Sequence, residues 1–301
     1  MVIYDLIIIG AGPAGLTASL YAGRYKLKCL LIYSLLGGTM TEAYNIENFP
    51  SYKNISGIEL TKRIYEQIKN LKVEEKLEVV KKIEKEKKFF SILTDKNRYY
   101  SKTIIIATGR EKAKLNLKNE DKFLGKGIHY CASCDAPFYK NKIVAVVGGG
   151  NCALNSSLLL SKYAKKVYII YRKKDFIRAD KILVDKIKKN KKIKILFNRN
   201  IEELIGKEKL EQIRLDNNKK IKVDGLFIEI GYVPNKEIFK NLKIKFENNY
   251  IKVNNKQETN IKGIFAAGDI TSNNLKQIIT ACGEGAIAAF SAYNFIKEKE
   301  K

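Results

Sequence analysis

The first clear pattern along the chain is a near-continuous apolar run at residues 3–9, Ile3-Tyr4-Asp5-Leu6-Ile7-Ile8-Ile9. A strand covered on both faces reads this way. A glycine turn follows, Gly10-Ala11-Gly12-Pro13-Ala14-Gly15, then Leu16-Thr17-Ala18-Ser19-Leu20-Tyr21-Ala22 as a helix and Cys29-Leu30-Leu31-Ile32-Tyr33 as a second strand. This is a βαβ unit with its glycines where strand meets helix. Residues 37–60 read as loops, ending where Ser56 can cap a helix that begins near Gly57. Residues 78–100 alternate apolar and charged positions, which predicts short antiparallel strands. Thr103-Ile104-Ile105-Ile106-Ala107-Thr108-Gly109 is another buried strand, and its small-residue end suits close approach by a ligand.

After Gly109 the chain turns polar through Glu120-Asp121, which predicts a linker. Lys142-Ile143-Val144-Ala145-Val146-Val147 then opens a second βαβ unit, with Gly148-Gly149-Gly150-Asn151-Cys152-Ala153 as its turn. Leu154, Leu158, Leu159 and Leu160 mark the helix, and Val167-Tyr168-Ile169-Ile170 the next strand. The repeat is a duplicated nucleotide-binding module, not a solenoid. Residues 181–230 predict a helix and then further strands. Gly263-Ile264-Phe265-Ala266-Ala267-Gly268-Asp269 is a strand, followed by a small-residue helix at 281–296, as if the first domain resumed after an insertion. The predicted fold class is therefore α/β: two Rossmann-like three-layer dinucleotide-binding domains, the second inserted into the first. Residues 1–115 and 246–301 form the outer domain and 116–245 the inner one, and a length of 301 residues suits two domains.

In each turn the glycines allow the chain to reverse, let backbone approach a pyrophosphate and bring helix close to strand. The helix N-terminus then faces the phosphates with free N–H groups. An acid commonly ends the second strand of such a unit and binds a ribose hydroxyl. The outer unit has Ile32-Tyr33-Ser34-Leu35 there, which leaves the ribose to Ser34 or to backbone. The inner unit has Tyr171-Arg172-Lys173-Lys174, with Arg178 beyond. Cations there suit the 2′-phosphate of NADPH better than the bare hydroxyl of NADH.

Between the two turns lies Cys131-Ala132-Ser133-Cys134-Asp135. Two cysteines separated by two residues can close a redox-active disulfide, and Asp135 is placed either to move thiol protons or to cap a helix. A zinc half-site is disfavoured because no second such pair and no paired histidines accompany it. The chain has five cysteines, too few and too uneven for a secreted disulfide framework. Cys29, Cys152 and Cys282 read as buried free thiols, Cys152 filling a tight helix start. His129, the only histidine, reads as a strand or loop residue beside the motif rather than a base, so His129→Gln is expected to leave most activity intact.

Charge changes the picture little. The net charge is +25, but lysines run through the whole chain interleaved with acids, as in Lys81-Lys82-Ile83-Glu84-Lys85-Glu86-Lys87-Lys88. This predicts solvated faces and no specific nucleic-acid partner, with weak salt-sensitive binding to polyanions as a side property. No apolar run reaches the roughly 18 residues that span a bilayer. The apolar N-terminus has no basic lead-in or cleavage site, so a cytoplasmic location is the expectation, without membrane attachment.

Taken together and in order, these motifs resemble the low-molecular-weight, bacterial-type thioredoxin reductases, members of the class II pyridine nucleotide-disulfide oxidoreductases. The resemblance rests on the first glycine turn, Gly37-Gly38, Glu47-Asn48-Phe49-Pro50, Ala107-Thr108-Gly109, residues 131–135, residues 148–153, and Gly268-Asp269 with Lys276-Gln277. It covers essentially the whole chain. It implies FAD on Gly10, Gly12, Pro13, Ala14, Gly15, Gly38, Thr39, Asn48, Thr108, Gly109, Asp269, Lys276 and Gln277, with Asp269 on the ribityl chain. It implies NADPH on Gly148, Gly150, Asn151, Ala153, Arg172, Lys173 and Arg178. It further implies electron flow from NADPH through FAD to Cys131 and Cys134, with Asp135 as acid/base and Cys134 nearer the flavin, and then to thioredoxin. An inner domain that rotates and a homodimer are also implied. Thr39 stands where the family usually has Gln, Asn155 where it has an acid, and Tyr171-Arg172-Lys173 where it has His-Arg-Arg. The last two departures keep open another donor, such as ferredoxin, flavodoxin or NADH; another thioredoxin-like partner and, against the intact Cys131–Asp135 motif, a basic flavin-binding redox sensor are the further alternatives.

Overall fold

The computed structural model describes residues 2–43, 46–177 and 179–300; Met1, Tyr44, Asn45, Arg178 and Lys301 lie outside the described residues. The chain forms two compact units, Met1–Glu111 with Pro234–Lys301, and Lys112–Val233.

The outer unit is built on a seven-stranded sheet in the order Glu74–Leu77, Cys29–Leu36, Ile3–Ala11, Arg98–Ile106, Phe90–Thr94, Val80–Lys85, with Ile264–Ala266 also paired to Arg98–Ile106. Strands on the glycine-turn side run parallel, and the 80–106 stretch folds as antiparallel strands. The apolar run at residues 3–9 is continuous because both its faces are covered. Leu6 and Ile8 join Ile105 and Phe265 beneath two helices, Pro13–Arg24 and Ile278–Glu300. Ile7 and Ile9 join Ile104, Ile106 and Ile264 on the other side. Each such fully buried side chain contributes roughly 1.5–3 kcal/mol. The two helices meet through alanines, Ala14, Ala18 and Ala22 against Ala281, Ala288 and Ala289. At Gly285 a Cβ would lie 2.1 Å from the Ala14 carbonyl oxygen, so only glycine permits this closeness. Ser56 caps the helix Gly57–Ile68 as expected, its hydroxyl accepting from the Glu59 amide at 3.2 Å.

The inner unit is a five-stranded parallel sheet in the order Ile193–Phe197, Lys166–Tyr171, Ile143–Val147, Gly225–Ile228, Ile128–His129. A three-stranded antiparallel sheet, Ile201–Ile205, Gln212–Leu215 and Lys220–Lys222, packs its apolar residues with one face of this sheet. The helices Asn151–Tyr163 and Lys181–Lys189 cover the other.

The unit boundaries differ from the expected 115/116 and 245/246. Residues 234–245 belong to the outer unit, because Ile238, Phe239, Leu242 and Ile244 are buried in its core. The expected polar linker is folded rather than loose. Leu115 and Leu117 pack on the inner core, and Glu120, buried, accepts from the Leu115 amide at 3.0 Å and the Tyr130 hydroxyl at 2.6 Å.

Candidate functional site

In the outer unit, strand Ile3–Ala11 delivers Gly12 to the N-cap of helix Pro13–Arg24 in extended conformation, with no side chain capping the free amides. Gly10 has φ +104°, and a Cβ there would sit 2.4 Å from the Ala107 carbonyl oxygen. The turn therefore lies directly against the end of strand Arg98–Ile106. At Gly12 and at Gly109, by contrast, a Cβ would meet nothing within 4 Å. Gly38, on the short helix Gly38–Glu42 that also carries Thr39, approaches the same point, its would-be Cβ 3.3 Å from the Gly12 Cα. The Thr108 hydroxyl is buried and has no partner among the described residues. Open glycine faces, uncapped helix amides and an orphaned hydroxyl fit the diphosphate end of FAD.

Asn48 donates to Gln277 Oε1 at 2.9 Å, so two residues far apart in sequence meet. Asp269 is held by a residue the sequence did not single out. Arg110 donates from Nε at 2.9 Å and from Nη2 at 2.5 Å, both to Asp269 Oδ2. Burial works against the Arg110 charge, but Asp269 outweighs it and holds the guanidinium above its ordinary pKa. Lys276 donates to the Thr271 carbonyl and lies over the Tyr250 ring, and burial lowers its pKa. The Gly268-Asp269 turn hangs on Glu284, also missed. Its buried carboxylate accepts from the Gly268 amide at 2.7 Å, the Thr271 hydroxyl at 3.2 Å and Asn273 at 2.8 Å. No spacing rule points to Arg110 or Glu284, because each is defined only by where the sheet and the last helix bring it.

In the inner unit Gly148, with φ +141°, lies against strand Gly225–Ile228's continuation, its would-be Cβ 2.2 Å from the Glu229 carbonyl oxygen. Gly149 is covered by the Tyr171 ring, and Gly150, the N-cap of helix Asn151–Tyr163, opens onto free space. Asn151 is committed to Asp180: its amide donates to Asp180 Oδ2 at 3.0 Å, and its Oδ1 accepts from the Asp180 backbone at 2.8 Å. Ala153 is fully buried beneath the turn. Arg172 is exposed and Lys173 partly so, and no carboxylate pairs with either among the described residues. Arg178 lies outside the described residues. Free cations at the strand end fit a 2′-phosphate, and the Gly150 amides fit the diphosphate of the same nucleotide.

Cys131 and Cys134 form a disulfide with Cα atoms 5.4 Å apart. Cys131 caps the short helix Ala132–Asp135, its sulfur accepting from the Cys134 amide at 3.3 Å. Asp135 is not a side-chain cap. Its Oδ2 instead lies 2.9 Å from His129 Nδ1, and His129 Nε2 lies 2.6 Å from the Tyr139 hydroxyl. His129 does sit on a strand, Ile128–His129, but its ring has a partner at each nitrogen and stacks on Phe227 at 5.2 Å. Of the remaining cysteines only Cys29 is buried as expected. Cys282 is half-buried, and Cys152 is exposed rather than filling the turn.

The pyridine nucleotide-disulphide oxidoreductase family matches residues 4–285. A thioredoxin reductase of Buchnera aphidicola subsp. Schizaphis graminum is 41% identical over 309 residues, covering 97% of this chain and 96% of that one. The crystal structure of Lactococcus lactis thioredoxin reductase is similar with a TM-score of 0.86 and 35% identity, covering 98% and 99% of the two chains. That of a ferredoxin-flavin thioredoxin reductase from Clostridium acetobutylicum is similar with a TM-score of 0.56 and 35% identity, covering 99% of each.

Proposed function

The chain belongs to the pyridine nucleotide-disulphide oxidoreductase family, and from that premise we propose that it is the flavoprotein that carries electrons from NADPH to the disulfide of a thioredoxin. The observation that carries this reading is the Cys131–Cys134 disulfide beside Asp135, on the unit whose Gly150 turn and Arg172 suit NADPH. When bound, FAD supplies the two-electron exchange between nicotinamide and disulfide. The chain's own residues do the rest. Cys131–Cys134 takes up two electrons and two protons as its S–S bond breaks, leaving two thiols. One, as thiolate, attacks a sulfur of the partner's disulfide and forms a mixed disulfide. The other then displaces the partner, which leaves as a dithiol, and Cys131–Cys134 closes again. Asp135 holds and releases the thiol protons in these steps. Asp269, Lys276, Asn48 and Gln277 line the ribityl and ring side of the flavin site, and Arg110 fixes the Asp269 carboxylate there.

The partner is thioredoxin or a thioredoxin-like protein. The family resemblance supports a homodimer and a cytoplasmic setting. Among the described residues no helix is long and apolar enough to cross a membrane. The test is turnover of a chromogenic disulfide by the FAD-loaded chain with NADPH and thioredoxin. Activity that vanishes in Cys134→Ser is the predicted result; equal activity in that variant would contradict it. A second reading keeps the disulfide chemistry and replaces NADPH with a one-electron carrier. Asn155 in place of an acid, and the similarity to the Clostridium ferredoxin-linked structure, favour it.

A further inference from the structure

We propose that His129 is a positioning residue for the disulfide chemistry, its ring holding one oxygen of the Asp135 carboxylate so that the other is presented for proton exchange with the dithiol. The proposal rests on the disulfide reductase reading above. The groups that face the ring define its state. Asp135 lies on the short helix, Tyr139 on the turn Ala136–Tyr139, and Phe227 on the neighbouring strand Gly225–Ile228. Beyond them, Asp224 acts on Tyr139 and Lys142 lies over the Tyr139 ring at 5.4 Å.

A carboxylate only accepts, so Asp135 Oδ2 at 2.9 Å requires a proton on His129 Nδ1. For the neutral ring this leaves Nε2 as an acceptor, which the Tyr139 O–H fills at 2.6 Å. Tyr139 keeps that proton, because burial, reinforced by Asp135 and Asp224, pushes its pKa up to about 12. The two bonds thus select one tautomer of the two, as the partner on one imidazole nitrogen fixes the role of the other. The ring cannot swing away: it stacks on Phe227 and meets the edge of Tyr139 with centroids 5.3 Å apart. Tyr139 is itself seated by a glycine, since a Cβ on Gly225 would lie 2.4 Å from its ring and 2.9 Å from its hydroxyl. Asp135, half-exposed on a helix of four residues, has little else to fix its rotamer.

This runs against the expectation that His129→Gln leaves most activity intact. The nitrogen that Asn offers superimposes on Nδ1 and that of Gln on Nε2, so Asn keeps the bond to Asp135 and Gln loses it. Because His129 is the only histidine, the imidazole region of a ¹⁵N spectrum of the full chain, prepared without added histidines, reports this ring alone. In mildly alkaline solution the wild type is expected to show the single Nδ1–H tautomer, and Tyr139→Phe a mixture. Positioned acid–base groups contribute about 10²–10⁴-fold, and His129→Gln is expected to lose about 10-fold in kcat at unchanged KM for thioredoxin, while His129→Asn recovers to within about 3-fold of wild type. An Nε2–H tautomer in the wild type would overturn the proposal whether or not the variants fold, and so would a folded His129→Gln as active as wild type. The spectrum does not depend on turnover: a wild type with the predicted tautomer and no NADPH–thioredoxin activity would count against the function, not against this geometry.

Discussion

The two glycine turns of this chain share a framework and differ in what surrounds it. Both place an uncapped glycine, Gly12 or Gly150, at a helix N-terminus with free space before it. Around Gly12 other parts of the unit converge: Gly38 approaches it, the Thr108 hydroxyl is buried without a partner among the described residues, and Asp269 is held by Arg110 and its turn by Glu284. Around Gly150 the wall is sparse. Asn151 is tied to Asp180, Tyr171 covers Gly149, and the cations at the strand end project into solvent. A site enclosed by several loops suits a resident cofactor, and an open one suits a nucleotide that comes and goes. One duplicated module thus serves two kinds of ligand through the residues that other elements bring to it.

The sharpest way to break this comparison is to make the same change in both turns. A methyl at Gly12 or Gly150 meets no protein atom, so each variant should fold. Gly12→Ala is expected to weaken FAD binding by about 10²-fold or more, the worth of two charge-assisted hydrogen bonds at ~1.5–3 kcal/mol each. Gly150→Ala is expected to purify with full FAD and lose its response to NADPH; flavin content and titration with NADPH read the two apart. Arg172→Ala should raise KM for NADPH about 10- to 100-fold and leave that for NADH unchanged, as steady-state kinetics with both donors would show. Glu284→Ala should lower stability by about 1–3 kcal/mol in chemical denaturation, because the Gly268 amide is left buried and unpaired.

The smallest expected effect lies on the antiparallel strands of the outer sheet. Burial opposes ionisation of Glu78, but hydrogen bonds from Thr94, Asn97 and Tyr99 outweigh it and hold its pKa below the ordinary 4.5. The folded pKa is the lower one, so the unfolded chain takes up the proton first. The stabilisation is present above the unfolded value and lost as pH falls through the folded one. Unfolding curves below pH ~4.5 should therefore depend less on pH in Glu78→Gln than in the wild type.

The parts of this fold written as local pattern were legible. Runs such as residues 143–147 announce buried parallel strands, and a turn of glycines between strand and helix announces a phosphate site. Glu74–Leu77 was not legible: it is charged, and it becomes a strand only by edge pairing with Cys29–Leu36, where Glu75 accepts from Tyr33 at 3.1 Å. The boundary at 233/234 was hidden for a similar reason, since Ile238 and Phe239 show their allegiance only once the outer core exists. At the site, Cys131, Cys134 and Asp135 stand in one motif, whereas Arg110, Glu284 and Tyr139 act through contacts that no spacing in the sequence encodes. His129 was legible as a strand residue beside the motif, but its partners at both ring nitrogens were not.

The central claim is that electrons enter from NADPH and leave through Cys131 and Cys134. Anaerobic stopped-flow of the FAD-loaded wild type against NADPH tests it most directly, followed by thiol counting on the quenched chain. The account predicts loss of the oxidised-flavin absorbance within the time of turnover, with two new thiols that are absent in Cys134→Ser. A flavin untouched by NADPH but bleached by a reduced one-electron carrier would contradict it.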